Sequence, residues 1–293
     1  MAFTEISCNS WEDFVIKLEN LKERQKKQEW SGSLPKLLYR GQSDSSWKLE
    51  TTLERYINNT EKKYLLYPNQ YFNLAFSIKP FLETMLNKKW DINKEKYEKF
   101  LGTYHTDRFI SKIFPSKKYA GDIYSYYIYL RHHGFPSPLL DWTRSPYIAA
   151  YFAFSDANPD DAKPDTDVSI YVYQEWVESL KDVNGQNDTY LRGEGHYVTT
   201  HPRHYHQQSD YTTCVTPVNE QGQLQFTNQQ EYCKKNEKKR DYLWKFNIPS
   251  SERPKVLAYL DQHNINDFTL FGSPESLMKT MAYREIDLKA DHS

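Results

Sequence analysis

The sequence predicts a mixed domain of helices and strands, α+β or α/β, on three observations. Short apolar runs such as "KLLYRG" and "VSIYVYQE" read as strands. Between them lie capped or amphipathic segments of helical length. No internal repeat or low-complexity tract appears, and no apolar run approaches membrane-spanning length.

In chain order, "NSWEDFVIKLENLKERQKKQEW" is a helix with Ser10 as N-cap and Asp13 at the capping-box position. Trp11, Phe14, Val15, Leu18 and Leu21 fall on one face of it. "SGSLP" ends it, and "KLLYRG" is a strand stopped by Gly41. "NNTEKKY" reads as a loop, and residues 67–118 as Lys-rich, aromatic helices with several breaks. "GDIYSYYIYLRHHGF" is a long aromatic helix closed by Gly134 and Pro136. "PSPLLDW" reads as a strand. Ser145 and Pro146 then start a helix that is apolar nearly all round to Phe154, and so should be buried.

Residues 156–167 are a solvated loop by composition, followed by the strand "VSIYVYQE". Residues 182–210 read as a long irregular excursion. "DYTTCVTPV" and "DYLWKFNIP" are strands, and "CKKNEKKR" is a solvated charge run. "SERPKVLAYLDQHNI" is a helix and "DFTLF" a strand. "SPESLMKTM" starts a last helix, with Ser273 as N-cap and Pro274 in the first position.

Composition narrows the function classes. A chain of 293 residues allows one large domain or two small ones. With 26% charged and 38% hydrophobic residues it reads as globular. A net charge of −1 argues against a general polyanion binder and leaves room for a local basic groove. Aromatics reach 16%, first of all core and half-buried strand, second a surface on which nucleobases or a nicotinamide ring stack. Cys8, Cys214 and Cys233 are odd in number and form no C-x-x-C pair, which fits a reducing, cytoplasmic setting. The start, "MAFTEISCNSWEDF", has neither a basic n-region nor an apolar h-region, so no signal peptide or membrane partner is expected.

Two clusters point to chemistry. Asp141, Trp142 and Thr143 stand where a strand hands over to a buried helix N-terminus, whose free N–H groups and dipole suit an anion. The plain alternative is that Asp141 caps or pairs with Arg144 and Thr143 is a turn residue. In "YRGQSDSSWKLE", Arg40 closes an apolar strand next to Gly41. A buried arginine needs a partner, and its planar fork suits a carboxylate or diphosphate. Gly41 lets a ligand approach the backbone. The alternative is an Arg40–Asp141 salt bridge without any ligand. His132 reads first as a satisfied buried histidine and second as catalytic. His201, His204 and His206 in "HPRHYH" match no standard zinc spacing, so no metal site is expected.

At these residues a family resemblance is visible. "LLYRGQSDSSWKLETTLERY" resembles the opening motif of FRG domains, and "LRHHGFPSPLLDWTRSPYIAAYFAF" resembles their second block. "RHYHQQSDYTT" and "INDFTLFGSPESL" are similar to two weaker, later blocks. The resemblance runs from about residue 37 to the C-terminus, and residues 58–118 carry none of its motifs. Arg131 replaces the family Gln, Ser137 a Thr, Pro138 an Arg, and Gly272-Ser273 a Pro-Asp. If the family Arg binds a phosphate, Arg131 or Arg144 must stand in for it.

FRG domains resemble ADP-ribosyltransferases in motif layout. That resemblance implies a single α+β domain over residues 37–293, with a split, mostly antiparallel β-sheet core wrapped by helices. Residues 1–36 would supply an N-terminal helix packed on the core, and 58–118 a helical insertion. It also implies NAD as the donor, with Arg40 on its phosphate or ribose and Thr143 in the middle motif. Tyr39, Gly41, His132, Asp141, Trp142 and Gln208 would complete the NAD site. Glu275 is the late carboxylate that orients the ribose, with Gln207 or Gln208 as rivals. The implied function is a bacterial toxin or anti-phage effector that modifies RNA, DNA or protein and is open to a neutralising antitoxin. The alternative is a non-catalytic module of a defence system that binds a nucleotide or a protein. A nuclease would need a carboxylate-rich metal site, which the sequence does not assemble.

Overall fold

The computed structural model describes residues 2–27, 36–102, 117–156, 166–175, 189–193, 200–219, 223–235 and 241–288. Its centre is one curled sheet in the order β1-β8-β4-β2-β3-β6-β5, with β7 paired to the far end of β6. The strands are β1 (Phe3–Ser7), β2 (Leu37–Gln42), β3 (Leu140–Thr143), β4 (Asp167–Gln174), β5 (Tyr190–Gly193), β6 (Ser209–Pro217), β7 (Leu224–Phe226) and β8 (Tyr242–Pro249). Among the described residues β1 and β8 alone pair in parallel; the other pairs are antiparallel. The protein is thus a mixed α+β fold on a mostly antiparallel sheet.

Alternation along β4 explains the layers. Val168, Ile170 and Val172 face one side, Tyr171 and Tyr173 the other, and all five are buried. The first side is covered by α1 (Trp11–Lys27), α7 (Pro146–Ser155) and α10 (Arg253–Gln262). α7 has almost no polar face, as its sequence predicts, and six of its ten residues are buried. The second side packs on Leu49 and on Cys233 of α9 (Gln229–Lys235). A third core joins α2 (Thr52–Thr60), α3 (Pro68–Ser77), α5 (Lys94–Leu101) and α6 (Lys117–His132) to Val215, Leu224 and Phe226. Between α3 and α5 lies α4 (Lys79–Leu86).

Caps set the helix starts. Ser145 Oγ accepts from Ile148 N at 3.3 Å, with Pro146 in the first turn of α7. Ser10 Oγ accepts from Asp13 N at 3.2 Å, while the Asp13 carboxylate reaches back to Asn9 N at 2.9 Å, one residue earlier than a capping box requires.

The structure corrects several expectations. "DFTLF" is not a strand but α11 (Asp267–Phe271). Asn266 and Thr269 exchange hydrogen bonds in a capping box, and Gly272 closes the turn at φ 66°. Its three apolar residues, Phe268, Leu270 and Phe271, satisfy either period, and the flanking caps decide for the helix. "NNTEKKY" is helical through Thr60, after which Glu61 turns left-handed at φ 56° and Lys63–Leu66 make a 3-10 turn. The stretch 182–210 holds β5, α8 (Pro202–His206) and the start of β6. β1 and β7 are additions; both are short strands whose partners, not their own patterns, define them. α12 (Pro274–Ala282) follows Ser273 as expected. "SGSLP" and the centre of the 156–167 loop lie outside the described residues.

Candidate functional site

The sheet opens between β2 and β3. β2 pairs with β4 at six positions but meets β3 at one, Tyr39↔Thr143. Because the two strands diverge beyond that point, residues from both faces of β2 border one cavity of about 710 Å3. That is within the range of small-molecule sites. Tyr39, Arg40, Gly41 and Gln42 line it from β2, and Asp141, Trp142 and Thr143 from β3. Arg131 and His132 enter from the end of α6, and Phe152 and Asp156 from the end of α7.

Arg40 spans the opening. Its Nη1 donates to the main-chain carbonyl of Asp141 at 2.8 Å, and its buried Nε has no partner among the described residues. Burial pushes its guanidinium down to about 10, still cationic at neutral pH. The Asp141 carboxylate bonds Arg131 Nη2 instead. Arg131 Nε and Asp141 Oδ1 are also buried and unpartnered among the described residues. The arrangement is therefore neither of the two sequence-level alternatives. Arg40 holds a backbone oxygen rather than the carboxylate, and Arg144 bonds Gln208 O through its N at 3.0 Å. Buried donors without partners are unstable in a closed core, and here they stand together at a cavity wall.

His132 Nε2 is 2.9 Å from Tyr211 Oη, which is 3.2 Å from His204 Nδ1. Burial pushes His132 down to about 4, so the imidazole is neutral at pH 7. Trp142 is only 3% exposed; its indole N–H donates to Thr212 Oγ1 at 2.7 Å and its ring leans on Tyr173. Thr143 Oγ1 accepts from Ser145 N at 3.2 Å, tying the strand end to the helix start. Tyr39 is buried under α7.

Gly41 has a second role that the sequence does not show. A methyl group on its Cα would lie 2.0 Å from Ala149 O and 2.6 Å from Ala153 N. The backbones of β2 and α7 are in direct contact there, and no side chain fits between them.

Two expected residues stand apart. Gln208 is left-handed at φ 48° and lies outside the cavity wall, whereas its neighbour Gln207 lines it. Glu275 is exposed in the first turn of α12, where hydrogen bonding with Ser273 holds its carboxyl below the usual range. It lines a second groove of about 220 Å3 that shares Phe152, Asp156, Arg203 and Phe271 with the main cavity. The two spaces are neighbours with those four residues in common.

The sequence reading did not single out Trp47, Lys48, Arg55, Asp156, Arg203 or Phe271 as site residues, yet all line the cavity. Trp47, Lys48 and Arg55 lie inside the opening motif, and Arg203 inside the histidine-rich run. Phe271 lies inside the weak last block, "INDFTLFGSPESL". Lys48, Arg55, Arg131 and Arg203 join Arg40 against the carboxylates of Glu50, Asp141 and Asp156. A chain of net charge −1 thus carries a cationic cavity. Among the described residues no group of His, Cys, Asp or Glu could hold a metal, and Cys8, Cys214 and Cys233 are all buried free thiols. No described helix is long and apolar enough to cross a membrane.

Residues 35–162 match the FRG domain family. The match takes in β2 through α7, and with them every cavity residue from Tyr39 to Asp156; Arg203, Gln207, Ser209 and Phe271 lie beyond it. No curated protein and no solved structure matches the chain.

Proposed function

We propose that the cavity binds NAD and that the protein is an ADP-ribosyltransferase. The observation that supports this most is the set of unpartnered buried donors on Arg40 and Arg131 at a cationic cavity wall. A diphosphate supplies the acceptor oxygens that such guanidinium groups lack. The adjoining groove leads toward Glu275, which gives an extended dinucleotide room for its second half.

In the reaction the bond between nicotinamide and ribose breaks, and its electron pair leaves with nicotinamide. Positive charge develops on the ribose, and a carboxylate bonded to the 2-hydroxyl stabilises it. The acceptor then forms the new bond to that carbon and gives up a proton. Glu275 is the proposed carboxylate, and Asp156, on the rim shared by both spaces, is its rival. Acceptor classes are RNA, DNA and protein, and the toxin or anti-phage role follows from the motif resemblance.

A second reading, nucleotide binding without catalysis, is favoured by one observation. The carboxylate of Asp141, the residue whose main-chain oxygen Arg40 holds, is already committed to Arg131. Incubating purified protein with labelled NAD and cell lysate separates the two. Transfer of label to RNA, DNA or protein, reduced at least tenfold in Arg40→Lys with unchanged melting, is the expected result. NAD binding without release of nicotinamide leaves the binding module. No NAD binding at all overturns the transferase reading.

A further inference from the structure

We infer that Trp47 is the stacking platform for the aromatic ring of the nucleotide in this cavity, an inference that rests on the nucleotide reading above. Residues 43–50 form a loop fixed from several sides. Ser45 N donates to Asp167 O at 2.8 Å, and Lys245 Nζ to Ser45 O at 2.7 Å. Gln42 Nε2 donates to Lys48 O at 3.2 Å, and Leu49 N to Gln230 Oε1 at 3.0 Å. Asn228 Nδ2 donates to Leu49 O at 3.0 Å, and the Leu49 side chain is buried. β4, β8 and α9 thus hold a loop whose one aromatic side chain is left 54% exposed at the cavity edge.

That combination is what a ring-binding site needs. The backbone is ordered before the ligand arrives, so stacking costs little conformational entropy. The indole stands in no ring pair or cation contact among the described residues, and more than half of the residue is open to solvent. Trp142 and Tyr39, the aromatics that the sequence brings forward, are buried at 3% and 4%. Lys48, next to Trp47 in the chain, and Arg55, on the same cavity wall, add positive charge. A planar apolar face next to cations matches a ring joined to a phosphate, which is a nucleotide rather than an apolar metabolite or a bare phosphate.

The test is calorimetric titration of the full chain with AMP, nicotinamide mononucleotide and ribose 5-phosphate. Wild type should bind at least one ring-bearing nucleotide tenfold or more tightly than ribose 5-phosphate. Trp47→Ala should erase that preference and leave ribose 5-phosphate binding unchanged; Trp47→Phe should keep most of it. An intact preference in a folded Trp47→Ala overturns the Trp47 assignment alone. If wild type binds none of the three, the nucleotide reading falls first and this one with it.

Discussion

At the scale of single residues, two titratable groups make opposite statements. Glu275 is an exposed carboxylate whose charge is already favoured by its place in a helix N-terminus. If it also orients the NAD ribose, Glu275→Gln should melt close to wild type and lose roughly a hundredfold or more in transfer rate. Normal turnover in Glu275→Gln with loss in Asp156→Asn would move the role to the shared rim. His132 is the reverse case, a base kept neutral by burial, with its folded value near 4 and its ordinary value 6.5. Between those values the unfolded chain takes up a proton that the folded chain refuses, so stability falls as pH drops from about 6.5 toward 4 and is level above. Urea midpoints at pH 7 and pH 5 should therefore differ more for wild type than for His132→Gln.

At the scale of elements, the site depends on one contact between a strand and a helix. Gly41 lets β2 lie against the backbone of α7, and α7 in turn carries Phe152 and Asp156 to the cavity. Gly41→Ala places a methyl group 2.0 Å from a carbonyl oxygen that no rotamer can move. We expect a loss of about 1–3 kcal/mol or more in chemical denaturation, together with weakened nucleotide binding as α7 shifts. Cavity binding that survives with unchanged stability would mean that the two backbones separate easily. The strand, the helix and the Ser145 cap were all legible in the sequence, because alternation and capping are local. α11 was not, because "DFTLF" fits either period and its cap lies one residue outside the apolar run.

At the scale of the whole molecule, α1 is part of the main core. Trp11 is 4% exposed and meets Phe14, Phe154 and Tyr259 at ring distances of 5.2, 6.5 and 6.3 Å. Its N–H on the main chain donates to Glu252 at 3.0 Å, just before α10. β1 ahead of it adds a parallel strand to β8, and Phe14 packs on Phe246. Trp11→Ala should therefore lower global stability by about 3–5 kcal/mol in a single cooperative transition. A separate early transition, with the rest of the fold unaffected, would show α1 to be an independent appendage.

What the sequence by itself determined is local: that "KLLYRG", "VSIYVYQE", "DYTTCVTPV" and "DYLWKFNIP" become strands, where Ser145, Ser273 and Gly134 start and stop helices, and that Arg40 and Asp141–Thr143 lie in strands, although β2 does not close at Arg40 but runs on through Gly41 to Gln42. Hydrogen bonding within a few residues and the period of apolar side chains are enough for that. Only the tertiary structure decided that β2 and β3 part after one paired position, so that Arg40 reaches a main-chain oxygen and Arg131 takes the Asp141 carboxylate. It also decided that Arg203 and Phe271, far along the chain, close the same cavity while Trp142 turns into the core. Those outcomes depend on pairing and burial between segments distant in sequence, which no local pattern encodes.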